Sequence, residues 1–317
     1  MSRTGDYKIG FTGAPNCKGG KSGEGNQNLN LIIMAISAAM LQELYTEIIA
    51  EATLQLYEYS LLLPLCRVKN TAGKPGLTAE FPKWPIVIAG DVAEDDETPE
   101  TEINPDSVPI TVSEKELNIP LTDMAATAVG EEEVIAAIGL LLGSGMARKL
   151  DRDIAATFPQ FIKTYGTAGV ALGVAGMVNG STYLGVKEAP GTLYGVLHPF
   201  QALGPKNSLT NAFGDGTKPL TSEMKANEIL YHNYIGTVSG AHYLESASIV
   251  PDINDDATGA VFSPLAIGVH IKQLLGFETE RKGTRRITHL LGHGKWNAAV
   301  VNADWGCALV GDASEPV

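Results

Sequence analysis

The residues from Thr71 to Asp123 constrain this chain more than any other stretch. They run for about fifty positions, rich in Pro, Gly and β-branched side chains, between two segments of helical pattern. Loops beyond ~15 residues without structure of their own are uncommon in compact domains and are usually functional. Leu77 to Ile88 has strand character, with Phe81 and Trp84 among β-branched residues, and Pro82 and Pro85 place it at a sheet edge. Asp91 to Glu102 then carries seven acids (Asp91, Glu94, Asp95, Asp96, Glu97, Glu100 and Glu102) and no base, which reads as an exposed tip. Val108, Ile110 and Val112 alternate, and Leu117 and Ile119 continue the pattern to a returning strand. A lone hairpin is only marginally stable in water. Such an arm therefore needs support from elsewhere, and a second copy of the same chain is the simplest source. The stretch predicts an assembly protein.

Composition narrows the classes. The chain has 317 residues, 44% hydrophobic and 19% charged, enough to bury a sizeable core. Its formal net charge of −13 argues against tight nucleic-acid binding, which calls for a basic surface, but permits lying beside nucleic acid without adhering to it. Three widely spaced cysteines, Cys17, Cys66 and Cys307, give neither a disulfide framework nor a zinc pattern, and read as free thiols in a reducing compartment. The first thirty residues lack the apolar run of a signal peptide. The apolar run Leu31 to Leu41 falls short of the ~20 residues that span a bilayer.

Residues 1 to 27 hold seven glycines and no apolar period, as expected of a flexible arm. Asn28 to Leu63 has helical spacing and stops at Pro64, reading as two helices rather than one. Glu131, Glu132 and Glu133 suit the positive end of a helix whose apolar stripe is Val134, Ile138, Leu141, Leu142, Met146, Leu150 and Ile154. It should run for ~40 Å to about Phe158, with a bend allowed at Gly143 and Gly145. Gly166 to Gly185 takes no clear assignment. Strands are expected at Leu193 to Leu197, Tyr243 to Val250 and Val261 to Ile271, with a β-rich stretch from Phe277 to Val310. A loop is expected from Lys206 to Leu220, then a short helix capped by Ser222.

Three motifs invite chemistry, and each lacks an obligatory part. Gly20-Lys21-Ser22 ends like a phosphate-binding loop, but Pro15 stands where the first glycine belongs and has no N–H to donate. An NTPase is therefore the weakest of the functions considered. His289 and His293 are four apart without the intervening Glu of a zinc protease, and Gly292 and Gly294 suggest a turn there. Ser239, in Gly236-Thr-Val-Ser-Gly240, has its first glycine one place too far away for a nucleophile elbow and reads as a strand or turn serine. No enzyme activity, cofactor or metal is expected. Two basic clusters, Arg281, Lys282, Arg285 and Arg286, and Arg148, Lys149 and Arg152, are usual for solvated faces. Set against the acidic tip, they are candidate donors to it across a subunit interface.

The order of elements is flexible arm, helix, long extended loop, long helix with an acidic start, Gly/Ala-rich mixed region and β-rich return. In this order the chain resembles the major capsid protein of tailed double-stranded DNA bacteriophages, the Hong Kong 97-type fold of the α+β class. Gly73-Lys-Pro-Gly76 with Phe81-Pro82-Lys83-Trp84 resembles the upstroke of that family's extended loop, and Val112 to Asp123 the downstroke. Leu193 to Pro199, Ile235 to Val250, and Ala260 to Glu280 resemble the axial domain and the return from it. The resemblance covers nearly the whole chain after residue 40. It implies an N-terminal arm and helix (1–66), an extended loop (67–122), a peripheral domain (123–165 and 277–317) and an axial domain (166–276). It further implies hexamers and pentamers closing into an icosahedral head around double-stranded DNA, assembled in the host cytoplasm and carried in the virion. Implied partners are a separate scaffolding protein, a portal and a decoration protein, with no membrane. Some members cross-link Lys to Asn between subunits. Lys69, Lys74 and Lys83 lie in the loop and Asn297 and Asn302 near the C-terminus, but no pairing is legible and no cross-link is expected. An encapsulin-like nanocompartment shell shares the fold and is the alternative.

Overall fold

The computed structural model describes residues 60–83, 106–122, 131–210 and 235–316, with a few isolated positions between 52 and 124. The expectations for residues 1–59, the helix after Ser222 and most of the acidic tip lie outside them. In chain order the elements are β1 (Arg67–Asn70), β2 (Thr78–Lys83), β3 (Asp106–Thr111), β4 (Ser113–Thr122), α1 (Glu131–Ala155), β5 (Lys163–Gly166), α2 (Val174–Val186), β6 (Leu193–Leu197), α3 (Leu203–Thr210), β7 (Gly236–Val238), β8 (Ala241–Glu245), β9 (Asp256–Phe262), β10 (Ile267–Lys282), β11 (Ile287–Val300) and β12 (Gly306–Asp312). They form an α+β structure with a four-stranded sheet β1-β10-β11-β4, a six-stranded sheet β5-β12-β9-β6-β8-β7 and the two-stranded pair β2-β3.

The arm is a hairpin, as the alternation predicts. β2 and β3 pair antiparallel from Thr78↔Thr111 to Lys83↔Asp106. The returning strand, however, is two strands and not one. At Val112, whose N–H donates to the Leu77 carbonyl at 3.0 Å, the chain leaves β2, and β4 pairs with β11 from Trp296↔Ser113 to Ile287↔Thr122. The second half of the pattern is apolar toward α1: Leu117 Cδ2 lies 2.9 Å from where a Cβ on Gly145 would stand.

α1 has 25 residues, about 38 Å, and ends at Ala155, three residues earlier than expected; Pro159 then sits in a separate single turn, Phe158–Gln160. Ile138, Leu142, Met146, Ala147, Leu150 and Ile154 are buried, whereas Leu141, counted on the stripe, is 55% exposed. Gly145 works as a close-approach position against β4. Gly292 and Gly294 do not make a turn but lie within β11: a Cβ on Gly292 would stand 3.1 Å from Leu142 of α1, and one on Gly294 2.1 Å from the Trp296 ring. The missing side chains let the helix and the indole lie flat on the strand.

The expected strand Val261 to Ile271 is also two, β9 and β10, divided at a turn closed by Ala266 N–H to Ser263 C=O at 2.9 Å. The region without assignment holds the end of β5 and α2, and α3 occupies the start of the expected loop at Lys206. β12, from the C-terminal segment, lies inside the six-stranded sheet between β5 and β9, and β10 runs through Gly276. Sheet membership thus crosses position 276 in both directions. Phe158 and Phe161 pack on Phe262 at centroid separations of 5.6 and 6.3 Å in the main core, which also holds Trp296 and Met146, Leu150 and Ile154 of α1. On α3, buried Lys206 meets Glu245 at 2.6 Å and so ties the helix to the end of β8.

Candidate subunit interface

The base of the arm is bedded on its own chain. Ala79, Phe81 and Ile110 form a small buried cluster with Val301, and a Cβ on Gly268 of β10 would stand 2.9 Å from the Phe81 ring. Arg67 and Lys69 lie 5.8 Å from the centroid of that ring. Lys69 Nζ donates to the Glu80 carbonyl at 2.9 Å, Arg67 Nη1 to that of Pro82 at 3.3 Å, and Lys272 Nζ to those of Lys74 and Gly76. His270, fully buried on β10, joins two segments: its Nδ1 contacts the Ile110 carbonyl at 2.9 Å and its Nε2 the Thr71 hydroxyl at 2.7 Å. A carbonyl only accepts, so the Nδ1–H donates to Ile110. Support for the arm therefore begins within its own chain.

The structure brings Arg281, Lys282, Arg285 and Arg286 together. They crown the β10–β11 hairpin, all four exposed, around a loop in which Arg286 takes φ +51°. Lys282 has Glu280 at 3.9 Å. The sixteen-residue β10 carries this tip about 50 Å from the strand's other end. Arg148, Lys149 and Arg152 are exposed on α1. Lys149 is engaged within the subunit: its Nζ meets Asp153 at 2.7 Å, a carboxylate that also receives Trp296 Nε1 at 3.2 Å and Lys115 at 3.7 Å. Of the acidic tip, Asp91 is exposed. Glu94, Asp95, Asp96, Glu97, Glu100 and Glu102 lie outside the described residues, as does Gly20-Lys21-Ser22.

The remaining motifs resolve into structure. Cys66 and Cys307 are buried free thiols; burial pushes the Cys66 thiol far up and that of Cys307 up to about 12. Ser239 and Gly240, with φ of +49° and +81°, are the two central residues of a tight turn joining β7 to β8, the hairpin connection that needs positive φ at both. His289 Nδ1 faces Asn118 Oδ1 at 3.0 Å and His293 Nε2 faces the Gln273 amide at 3.3 Å, each on β11. Among the described residues no three His, Cys, Asp or Glu converge as metal ligands, and no helix is long and apolar enough to cross a membrane. Asn297 Nδ2 donates to the Thr111 carbonyl at 2.9 Å, and Asn302 Oδ1 accepts from Asp304 N–H at 3.1 Å, so both asparagines have partners in their own subunit.

One residue that organises this surface is absent from the sequence reading. Asp151 is buried on α1 between the exposed Arg148 and Arg152. Its carboxylate accepts from Ser60 Oγ at 2.8 Å, Leu61 N–H at 2.9 Å and Leu62 N–H at 3.2 Å, fixing where the chain leads into β1. Burial raises its pKa above the ordinary carboxylate value, against the pull of those three hydrogen bonds. The available signal was positional: Asp151 falls four residues after Ala147 and three before Ile154, on the apolar stripe.

No family model and no curated protein matches the sequence. Solved structures do match in fold. The capsid of Ralstonia phage GP4 aligns with a TM-score of 0.59 at 10% identity, over 79% of this chain and 88% of that one. The capsid structure of the cyanophage P-SCSP1u gives 0.56 at 14% identity, over 79% and 87%. A virus-like particle from Pyrococcus furiosus gives 0.55 at 8% identity, over 83% and 98%. This α+β chain therefore has the fold of phage capsid subunits.

Proposed function

We propose that this chain is the major capsid protein of a tailed phage, assembling as hexamers and pentamers into an icosahedral head that encloses double-stranded DNA. The observation that carries the reading is the match in fold over about four fifths of this chain and nearly nine tenths of the phage capsid chain. Under this reading the molecule works by geometry rather than by catalysis. The arm from Arg67 to Thr122 is the extended loop. α1 with the β10–β11–β4 sheet forms the peripheral domain, with β12 contributed to the axial sheet. The acidic tip reaches a neighbouring subunit, where the β10–β11 tip is the first receiver and the exposed α1 cations the second. Each exposed pair contributes only ~0–1 kcal/mol, but the contact repeats with every copy of the subunit. Scaffold, portal and decoration proteins are the expected partners, the virion the expected location, and neither a cofactor nor turnover is required.

The alternative is a nanocompartment shell, favoured by one observation: the Pyrococcus furiosus virus-like particle is covered over 98% of its length. Sedimentation velocity of the full chain, with and without scaffold and across salt, tests the assembly reading. Capsomer-sized and shell-sized species are expected; monomer under every condition overturns it. Nucleic-acid content of particles isolated from the native source separates the two shells, with packaged DNA expected.

A further inference from the structure

At the C-terminal end of α1 a cleft of about 340 Å³ opens between Ala155, Ala156, Pro159, Ala168, Ile249 and Val250. One wall is the turn from Asp252 to Asp256, and that turn is locked. Asp252 Oδ1 accepts from Asn254 N–H at 2.8 Å and Asp256 N–H at 3.0 Å, Asp252 N–H donates to the Asp256 carbonyl at 2.9 Å, and Gly169 N–H donates to Asp256 Oδ1 at 2.6 Å. Asp255 takes φ +60°, and its carbonyl accepts from Ala313 N–H at 2.8 Å. The apex of this rigid turn is Ile253, 99% exposed, with Val250 beside it at 66%. Holding a β-branched apolar side chain wholly in water gains the isolated subunit nothing; burying it against another surface removes apolar area from water.

The rims carry opposite charge. Arg152 is exposed on the α1 side with no ion pair among the described residues, and Asp252 and exposed Asp255 stand on the turn side. Knob and cleft share a wall, so they lie on one patch. A two-fold contact uses the same patch on both copies, so a patch that holds both halves of a contact meets the requirement for one. Two copies brought together in this way would seat each Ile253 over the other's apolar floor and set each Arg152 against the other's Asp252 and Asp255.

We propose that Ile253 and the cleft at the end of α1 form a two-fold contact between copies of this chain, sealed by reciprocal Arg152–Asp pairs. The proposal rests on the shell reading and assigns Arg152 to this contact rather than to the acidic tip. The test is a full-length Ile253→Cys, Ala156→Cys double variant, oxidised after assembly and run on a non-reducing gel. A dimer band and nothing larger is expected, with each single variant monomeric. No cross-link, or a ladder reaching five or six subunits, overturns the two-fold contact. In parallel, Ile253→Asp should lower particle yield at least tenfold while the circular dichroism and melting temperature of the free subunit match wild type; wild-type yield overturns the proposal. If the wild-type chain forms no particles, the shell reading fails instead, and the disulfide assay on concentrated free subunits still decides the contact.

Discussion

At the scale of single residues, buried polar groups fix how the segments join. Asp151 serves three donors, so Asp151→Ala should destabilise the subunit by about 3 kcal/mol, because the Ser60 and Leu62 donors stay buried without an acceptor and the half-buried Leu61 N–H loses its own. Asp151→Asn keeps one acceptor oxygen and turns an amide toward the Leu61 N–H, and should cost about 1–2 kcal/mol. The pH dependence has a definite sign. The folded pKa of Asp151 is raised, so the native state binds more protons than the unfolded chain above the unfolded pKa. Its contribution to stability therefore falls as pH rises from about 3.9 through the raised folded value. Urea unfolding of both proteins across that window should show Asp151→Asn losing less stability than wild type with rising pH; parallel curves would contradict this. His270 makes a second residue-scale case: His270→Leu should loosen the β2–β3 hairpin from β10, read as faster amide exchange at Ile110 and neighbouring residues. Neither residue was legible as a site. An acid on an apolar stripe marks a buried carboxylate but not its partners, which for Asp151 lie some ninety residues away.

At the scale of elements, alternation and helical period found most of what they can find. β2, β6, α1 and the strand content after Phe277 follow from local pattern. The errors came where one continuous apolar pattern serves two partners. Val108 to Ile119 changes partner at Val112, from β2 to β11, and Val261 to Ile271 changes sheet at the Ser263–Ala266 turn. Side-chain period reports burial, not which strand supplies the hydrogen bonds. Glycine misled for the same reason: Gly292 and Gly294 resemble a turn locally but are close-approach positions set by α1 and Trp296. Gly294→Ala tests this. The new Cβ would stand 2.1 Å from the indole and 2.7 Å from the Leu274 carbonyl, so the melting temperature should fall by several degrees, an overpacking loss of at least ~2 kcal/mol. A Gly294 in a free turn would tolerate Ala with little change. At the tips, Arg285→Glu with Arg286→Glu should leave subunit stability within ~0.5 kcal/mol of wild type, since both are exposed, while lowering shell yield and its salt sensitivity. Reversing four of the acids from Asp91 to Glu102 to Lys should do the same; unchanged yield and salt dependence would mean that the acids are merely solvated.

At the scale of the whole molecule, the order of elements carried more than any motif. Each candidate motif lacked one obligatory group, whereas the fold as a whole is shared with capsid structures at 10–14% identity. Very different sequences satisfy this fold, and this is why it is legible from order and spacing while individual contact residues are not. Ile253 shows the limit: its exposure depends on a turn closed by hydrogen bonds from Gly169 and Ala313 that no local pattern announces. The measurement that tests the central claim most directly is electron microscopy of the purified full-length protein, alone and with scaffold. The account predicts five-fold and six-fold capsomers and closed shells of uniform diameter. Featureless monomers at every concentration and salt, with scaffold present, would contradict it.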